Sequence, residues 1–173
     1  MRSRVVREHD MDVFLLRHGI AENGRPGMPD PDRELTPEGR KKTREVMKAA
    51  QAGGVKPDYI LTSPYARALQ TAEVAAEVLG YKGELLRTQA LVPGSRPELV
   101  WDEVRLHRDG GQIVLVGHEP LFSHLASFLL DAPSLRVDFK KGALMRIEID
   151  QLGPRPRGVL RWFLAPKVAG AKG

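Results

Sequence analysis

The alternation of strand-like and helix-like segments constrains the fold of this chain more than any other feature of its sequence. Short apolar runs rich in branched and aromatic residues predict buried strands at residues 12–16, 58–63, 84–87 and 112–117. Amphipathic segments between and after these runs predict helices at residues 36–52, 64–79, 95–107 and 118–130. Strands that alternate with helices predict an α/β fold, with a mainly parallel sheet and helices on both faces.

Local signals predict where several helices begin. Thr36, followed by proline, is a typical start of the first helix. Ser63 is expected to cap a helix that begins at Pro64. Ser95 and Glu98 have the spacing of a capping box, which places a further helix start at Ser95.

The last part of the chain predicts a different arrangement. The apolar runs at residues 143–149 and 159–165 predict a C-terminal antiparallel hairpin, and residues 167–173 are expected to form a frayed tail. A length of 173 residues, with no break in composition, predicts a single domain.

Composition and charge exclude several classes of function. The chain has no cysteine, which excludes disulfides, thiol catalysis and thiolate metal sites. We expect a cytoplasmic protein, because the sequence shows neither a signal peptide nor an apolar run long enough to span a membrane. The net charge is +5, but the basic residues are scattered and aromatic residues make up only 6%, so we expect no nucleic-acid partner.

Charged and imidazole side chains follow three of the predicted strands at the point where each strand ends. Arg17 and His18 follow the first strand, Arg67 lies just after the second, and His118 follows the fourth. The carboxyl ends of parallel strands meet at one edge of a sheet, where ligands bind in open α/β folds. Arg67 and His118 are also expected at helix N-termini, which attract anions. These features together predict a pocket for a phosphoryl group.

The residue types indicate how such a pocket could work. The planar guanidinium groups of Arg17 and Arg67 match pairs of phosphoryl oxygens and can neutralise the dianion. One imidazole must be neutral to attack phosphorus, whereas the other is useful as a cation. We assign the attack to His18, because Gly19 should allow a tight turn in which a backbone carbonyl fixes the tautomer of the ring.

The order and spacing of these motifs resemble the histidine phosphatase superfamily, also called phosphoglycerate mutase-like, and in particular its small SixA-type phosphohistidine phosphatases. The resemblance runs through "VFLLRHGIAE", "DRELTPEGRKK", "LTSPYARALQTAEVAAEVLG" and "IVLVGHEPLFSHLASFLL". It implies a phosphohistidine intermediate on His18, bracketed by Arg17, Arg67 and His118. It also implies a histidine phosphatase domain over residues 11–166, with residues 1–10 as a dispensable extension.

Two departures from the family bear on the substrate. The small-ester branch usually has serine and asparagine three and six residues after the nucleophile, where this chain has Ala21 and Gly24. The segment "ALVPGSRPELV" stands in place of an acidic loop, so the usual proton donor of that branch has no match. Glu119 occupies the position at which the phytase-like branch carries its proton donor. It is either a catalytic acid or an acidic residue that stabilises a helix N-terminus.

The remaining polar residues are assigned no role in the reaction. Tyr65 and Gln70 are interpreted as helix-face residues. His9, His107 and His124 do not directly follow a predicted strand, unlike the histidines of the predicted site. No metal or other cofactor is implied: "HEPLFSH" lacks a second histidine at helical spacing, and "GIAENGR" lacks the lysine of a nucleotide-binding loop.

The sequence therefore predicts a metal-independent phosphatase, with a phosphorylated protein that carries phosphohistidine as its partner and no membrane partner. Two alternatives stay open. A small-molecule phosphomonoesterase would use the same four residues, and a non-catalytic phosphate-binding module would need only the arginines.

Overall fold

The computed structural model describes residues 11–170, which form one mixed six-stranded sheet. The strands are β1 (Met11–Arg17), β2 (Tyr59–Thr62), β3 (Leu85–Arg87), β4 (Gln112–Gly117), β5 (Leu144–Gln151) and β6 (Arg157–Leu164). Their order across the sheet is β3-β2-β4-β1-β5-β6. The first four strands pair in parallel, whereas β5 pairs antiparallel to both β1 and β6. The predicted mainly parallel sheet and C-terminal antiparallel hairpin are confirmed.

Helices cover both faces of the sheet. They are α1 (Pro37–Ala52), α2 (Ala66–Leu79), α3 (Pro97–Leu106), α4 (Leu121–Leu129) and the short α5 (Pro166–Ala169). Apolar residues of α1 and α2 form one core cluster with one face of the sheet, and those of α3 and α4 form a second cluster with the other face. None of the helices within residues 11–170 combines the length and apolarity needed to cross a bilayer.

The strand β1 shows why the first apolar run of the sequence is unbroken. Val13 and Leu15 belong to the core cluster of α3 and α4, while Phe14 and Leu16 belong to that of α1 and α2. Side chains on a strand alternate between faces, so a strand covered on both sides needs apolar residues at every position. Because this strand is central, the residues that follow it are held firmly at the carboxyl end of the parallel strands.

Some predicted helix starts differ from those observed. Thr36 caps α1 as expected, since its hydroxyl accepts from the backbone N–H of Gly39 at 3.0 Å. The expected cap at Ser63 is wrong: α2 begins at Ala66, and the Ser63 hydroxyl is used elsewhere. The expected capping box is also wrong, because α3 begins after Arg96 without a side-chain cap. The last predicted helix starts later than residue 118, at Leu121.

The two ends of the chain bear on the predicted domain limits. Residues 1–10, expected to be a dispensable extension, and residues 171–173 lie outside the described part of the chain. The predicted tail does not begin as irregular chain, because Lys167–Ala169 form part of α5 after Pro166.

Candidate active site

Sheet topology brings the ends of the three motif-bearing strands together. Arg17, the last residue of β1, is in register with Gly117, the last residue of β4. On the other side of β4, Thr62 at the end of β2 is in register with Val116. His18 and His118 therefore emerge side by side at the carboxyl edge of the sheet, and their ring centroids are 5.1 Å apart.

The predicted residues meet in one cavity at this edge. The cavity has a volume of about 270 Å³. It is lined by Arg17, His18, Asp30, Arg33, Arg67, Pro93, His118, Glu119 and Lys141. All five residues predicted for the site are among them, and four further charged or apolar residues complete the wall.

The ring of His18 is held in one tautomer. Its Nδ1 lies 2.8 Å from the backbone carbonyl oxygen of Gly19, and the side chain is only 5% exposed. A carbonyl oxygen can only accept, so Nδ1 carries the proton and the neutral ring has its lone pair on Nε2. This is the carbonyl contact that the sequence predicted for the nucleophile.

Gly19 is required for a different reason from the one expected. Its φ is not in the left-handed region, so backbone conformation alone does not demand glycine. A Cβ atom here would lie 2.8 Å from Thr43 Oγ1 and 3.0 Å from the carbonyl oxygen of Gly39, both on α1. The close approach of α1 therefore excludes a side chain at position 19. The Gly19 N–H donates to Thr71 Oγ1 on α2 at 3.1 Å, which fixes the turn from the other side.

The two arginines are anchored by part of each guanidinium group. Arg17 Nη1 donates to the carbonyl oxygen of Phe139 at 2.6 Å. Arg67 is 5% exposed and donates from Nη1 to the backbone carbonyl of Asp30 at 2.9 Å. In both arginines Nε is buried and has no hydrogen-bond partner among residues 11–170. The two guanidinium groups bring positive charge to one cavity, which suits an oxyanion ligand.

A carboxylate from the loop after β1 faces the same arginine. Asp30 lies in a single 3-10 turn, and its Oδ2 is 3.1 Å from Arg67 Nη2. Burial alone would raise the pKa of this carboxyl, but hydrogen bonds and charges from Arg67 and Arg33 lower it below its usual value. Asp30 is thus an anion that orients Arg67. Its side chain is 52% exposed, so water screens the pair.

The second histidine is positioned by a serine. His118 is 1% exposed, and its Nε2 lies 2.8 Å from Ser63 Oγ. The Tyr65 ring meets the His118 ring edge-on, with centroids 5.2 Å apart, and the guanidinium carbon of Arg67 lies 5.2 Å from the centroid of the same tyrosine. Tyr65, interpreted from the sequence as a helix-face residue, therefore packs between two residues of the site.

Burial and positive charge depress the basicity of both imidazoles. Burial, followed by the charges of Arg67, Arg17 and Lys141, lowers the pKa of His18 to about 4. Burial, followed by His18 and Arg67, lowers the pKa of His118 to about 3. Both rings are therefore neutral at pH 7 with the chain's own charges, whereas the sequence predicted one neutral and one cationic ring.

Glu119 makes the contacts of an acidic residue at a helix start, which is one of the two interpretations that the sequence left open. It lines the cavity, yet its Oε1 accepts from the backbone N–H of Ser123 at 2.7 Å and its Oε2 accepts from the Ser123 hydroxyl. These bonds satisfy the first turn of α4, which is the structural role of an acid at a helix start.

The other polar residues lie outside the cavity. Gln70 accepts from the Leu35 N–H at 2.7 Å and so ties the loop after β1 to α2. The ring of His107 contacts that of Tyr59 in a tilted arrangement, and His124 is exposed on α4. His9 lies outside the described residues. Within residues 11–170, no group of three or more His, Asp or Glu side chains could hold a metal ion.

Sequence reasoning missed several residues of the site. Ser63 directly follows β2, and its place at a strand end was a usable signal that the helix-cap interpretation obscured. Asp30 sits in a loop rich in proline and glycine, where spacing carries no information on its partner. Lys141 lies in the segment just before β5, far along the chain from Arg17 and His18.

Comparisons with known proteins identify related chains. The family model of the histidine phosphatase superfamily (branch 1) matches residues 13–91, which include Arg17, His18 and Arg67. Phosphohistidine phosphatase SixA of Escherichia coli strain K12 is 25% identical over 158 residues, which are 90% of this chain and 94% of SixA. An uncharacterized protein of Picosynechococcus is 37% identical over 111 residues, which are 64% of this chain and 67% of that protein.

The fold comparison covers most of the chain. The structure of the protein histidine phosphatase SixA complexed with tungstate matches with a TM-score of 0.81 at 25% identity, over 91% of this chain and 98% of that chain. The shared fold, the matched family motif and the similarity to SixA lead to one assignment. The chain belongs to the histidine phosphatase superfamily and is a phosphatase of its small SixA-like type.

Proposed function

We propose that this phosphatase removes phosphate from protein phosphohistidine through a covalent phosphohistidine intermediate on His18. The observation that carries the proposal is the bond between His18 Nδ1 and the Gly19 carbonyl, which leaves the lone pair of Nε2 available. Arg17 and Arg67 line the same cavity, and their positive charge favours phosphoryl oxygens bound there. Tungstate in the matched SixA structure is likewise an oxyanion.

The reaction proceeds in two displacements. His18 Nε2 attacks phosphorus, the phosphorus–nitrogen bond of the substrate breaks, and the released imidazole takes up a proton from solvent. Water then attacks phosphorus, the bond to Nε2 breaks, and inorganic phosphate leaves while the proton released by water passes to solvent. Arg17 and Arg67 stabilise the negative charge on the equatorial oxygens in both steps. The Ser63 hydroxyl holds His118 beside the transferred group.

The leaving group favours phosphohistidine over a phosphate ester. An ester expels an alkoxide, which requires a general acid that contributes a factor of roughly a hundred or more in rate. An imidazole leaves more readily, particularly when its ring is protonated. Glu119 is the carboxyl group best placed for the acid, but both of its oxygens already bind Ser123. Because this carboxyl group binds the first turn of α4, the site is better suited to an imidazole leaving group than to an alkoxide.

The test compares three substrates in the wild type and in Glu119→Gln. The glutamine retains a carbonyl oxygen that can accept from the Ser123 N–H, so the fold of α4 is preserved. We expect turnover of a phosphohistidine peptide and of an aryl phosphate to change by less than about threefold, since neither needs a strong acid. Rapid hydrolysis of an alkyl phosphate that collapses selectively in Glu119→Gln would instead identify a small-molecule phosphomonoesterase.

The covalent intermediate is tested separately with labelled substrate. The wild type, quenched during turnover, should carry an acid-labile, base-stable phosphoryl group. His18→Ala should lose this label but retain vanadate binding through the arginines. Recovery of the label on His118 would contradict the assignment of the nucleophile.

A further inference from the structure

A second pocket with strongly basic walls adjoins the catalytic cavity. Its volume is about 380 Å³, and we call it the lysine pocket. It is lined by Arg17, Ile20, Lys42, Lys140, Lys141, Ala165, Pro166 and Lys167. Arg17 and Lys141 also line the catalytic cavity, so the two pockets share a wall.

Backbone hydrogen bonds hold this shared wall against the catalytic strand end. The N–H of Gly142 lies 3.1 Å from the carbonyl oxygen of Arg17 and 3.0 Å from that of His18. Gly142 has a φ of 78°, a conformation that favours glycine. The backbone of the two preceding residues, Lys140 and Lys141, is thereby held near the end of β1. A ligand anchored by His18 would have its neighbouring groups within reach of these lysines.

The charges of the lysine pocket are unbalanced. Five of its lining residues are cationic and none is acidic. Two of the lysines have partners outside the pocket: Lys42 binds Glu38 and Lys140 binds Asp138, each at 2.9 Å between exposed side chains. Lys141 and Lys167 make no ion pair with any other residue between 11 and 170.

The lining that is not charged is apolar. Ile20, Ala165 and Pro166 provide it. A small phosphate ester bound in the catalytic cavity would leave this surface unused. A peptide segment next to a phosphohistidine offers both of the matching parts, since its carboxylates complement the lysines and its side-chain carbons cover the apolar lining.

We propose that the lysine pocket binds a carboxylate-bearing segment of the protein substrate, next to the phosphohistidine whose phosphoryl group enters the catalytic cavity. The inference rests on the proposed function and specifies its partner: a phosphohistidine protein with an acidic surface beside the phosphorylated ring. The pocket contributes to recognition of the protein and takes no part in the transfer of the phosphoryl group.

The experiment uses peptides of equal length that carry one phosphohistidine flanked by aspartates, by glutamines or by lysines. We expect the wild type to prefer the aspartate peptide over the glutamine peptide by at least about fivefold in kcat/KM, mainly through KM, because several exposed charge pairs act together. The preference should shrink as salt is added. The lysine peptide should be the poorest substrate.

The variants are Lys140→Glu and Lys167→Glu, singly and combined. They should abolish the preference for the aspartate peptide and leave aryl phosphate hydrolysis unchanged, because neither residue lines the catalytic cavity. The matched control is Lys56→Glu, which makes the same change of charge at an exposed residue next to the amino edge of the sheet, where the Lys56 N–H donates to Gln112. This control should retain the wild-type preference.

Each outcome separates the inference from the proposed function. If the wild type turns over all three peptides equally, or if Lys56→Glu has the same effect as the pocket variants, the lysine pocket does not bind the substrate. If the wild type hydrolyses aryl phosphate but no phosphohistidine peptide, the proposed function and the inference built on it both fail. A loss of aryl phosphate hydrolysis in Lys167→Glu would place this residue in the catalytic cavity and overturn the separation of the two pockets.

Discussion

Acidification from pH 7 to pH 5 should destabilise this protein through its two buried active-site histidines. Burial is the first cause that lowers the pKa of His18 to about 4 and that of His118 to about 3. In the unfolded chain an imidazole titrates near 6.5. The unfolded state therefore binds protons as the pH falls through 6.5, while the folded state stays neutral until about 4. Stability is highest above pH 6.5 and is lost as the pH falls towards the folded pKa values.

The size of this effect follows from the unfolded state alone. Because both folded pKa values lie below 5, protonation of the unfolded imidazoles sets the loss between pH 7 and pH 5. Each histidine contributes about 2 kcal/mol, so the pair contributes roughly 4 kcal/mol. This is a large share of the stability of a typical domain, which is about 5–15 kcal/mol. Most carboxyl groups titrate below this window, so the imidazoles dominate it.

Urea unfolding at pH 7, 6 and 5, followed by tryptophan fluorescence in phosphate-free buffer, measures the free energy of unfolding directly. His18→Gln and His118→Gln should each remove about half of the pH dependence. The matched control is His124→Gln, which makes the same substitution at an exposed histidine outside the cavity and should leave the dependence intact. A wild type that loses less than about 1 kcal/mol, or a double variant that keeps the full loss, would refute the reasoning.

Two further predictions concern catalysis. Arg67→Ala should cost about 3–5 kcal/mol of transition-state stabilisation in kcat/KM for an aryl phosphate, because a desolvated anion loses a forked donor, and Arg67→Lys should restore only part of the rate. Ser63→Ala should lower kcat/KM about tenfold or more by releasing the ring of His118, and it should have little further effect in a His118→Gln background. Equal losses from Ser63→Ala in both backgrounds would show that the serine acts independently of the histidine.

The clustering of the predicted site residues could be predicted, because it depends on the apolar patterns of the strands that carry them. The runs at residues 12–16 and 112–117 are apolar at nearly every position, and the two strands are buried on both faces as parallel central strands should be. Once those strands are parallel neighbours, Arg17 and His118 must emerge at the same edge. The same logic placed Arg67 after β2 without knowledge of any tertiary contact.

The starts of α2 and α3 could not be predicted in the same way, because a serine near a helix can bind other groups instead of capping the helix. Ser63 matches the pattern of a cap, yet its hydroxyl accepts from the Tyr65 N–H at 3.2 Å and meets the ring of His118. The histidine lies 55 positions further along the chain, so no local pattern reveals it. Ser95 does not cap α3 either, and its buried hydroxyl has no hydrogen-bond partner within the described chain.

The position of Asp30 also lay beyond the sequence pattern. The segment after β1 is rich in proline and glycine, and it returns across the site to place Asp30 on Arg67. The contact depends on the path of the whole loop, which Gln70 helps to fix through the Leu35 N–H. A loop without periodicity carries no signal for such a path, so the partner of the buried arginine had to be read from the structure.

The charge of His118 differs between the sequence prediction and the structure. The sequence predicted a cationic second histidine, but burial, His18 and Arg67 lower its pKa to about 3. A phosphoryl dianion bound between the arginines would bring opposite charge to the ring and favour its protonated form. The Ser63 hydroxyl suits both states, because it can donate to the bare Nε2 of a neutral ring or accept from a protonated one. The cationic role is thus a property that the bound phosphoryl group would induce, and the serine lets His118 adopt it without losing its position.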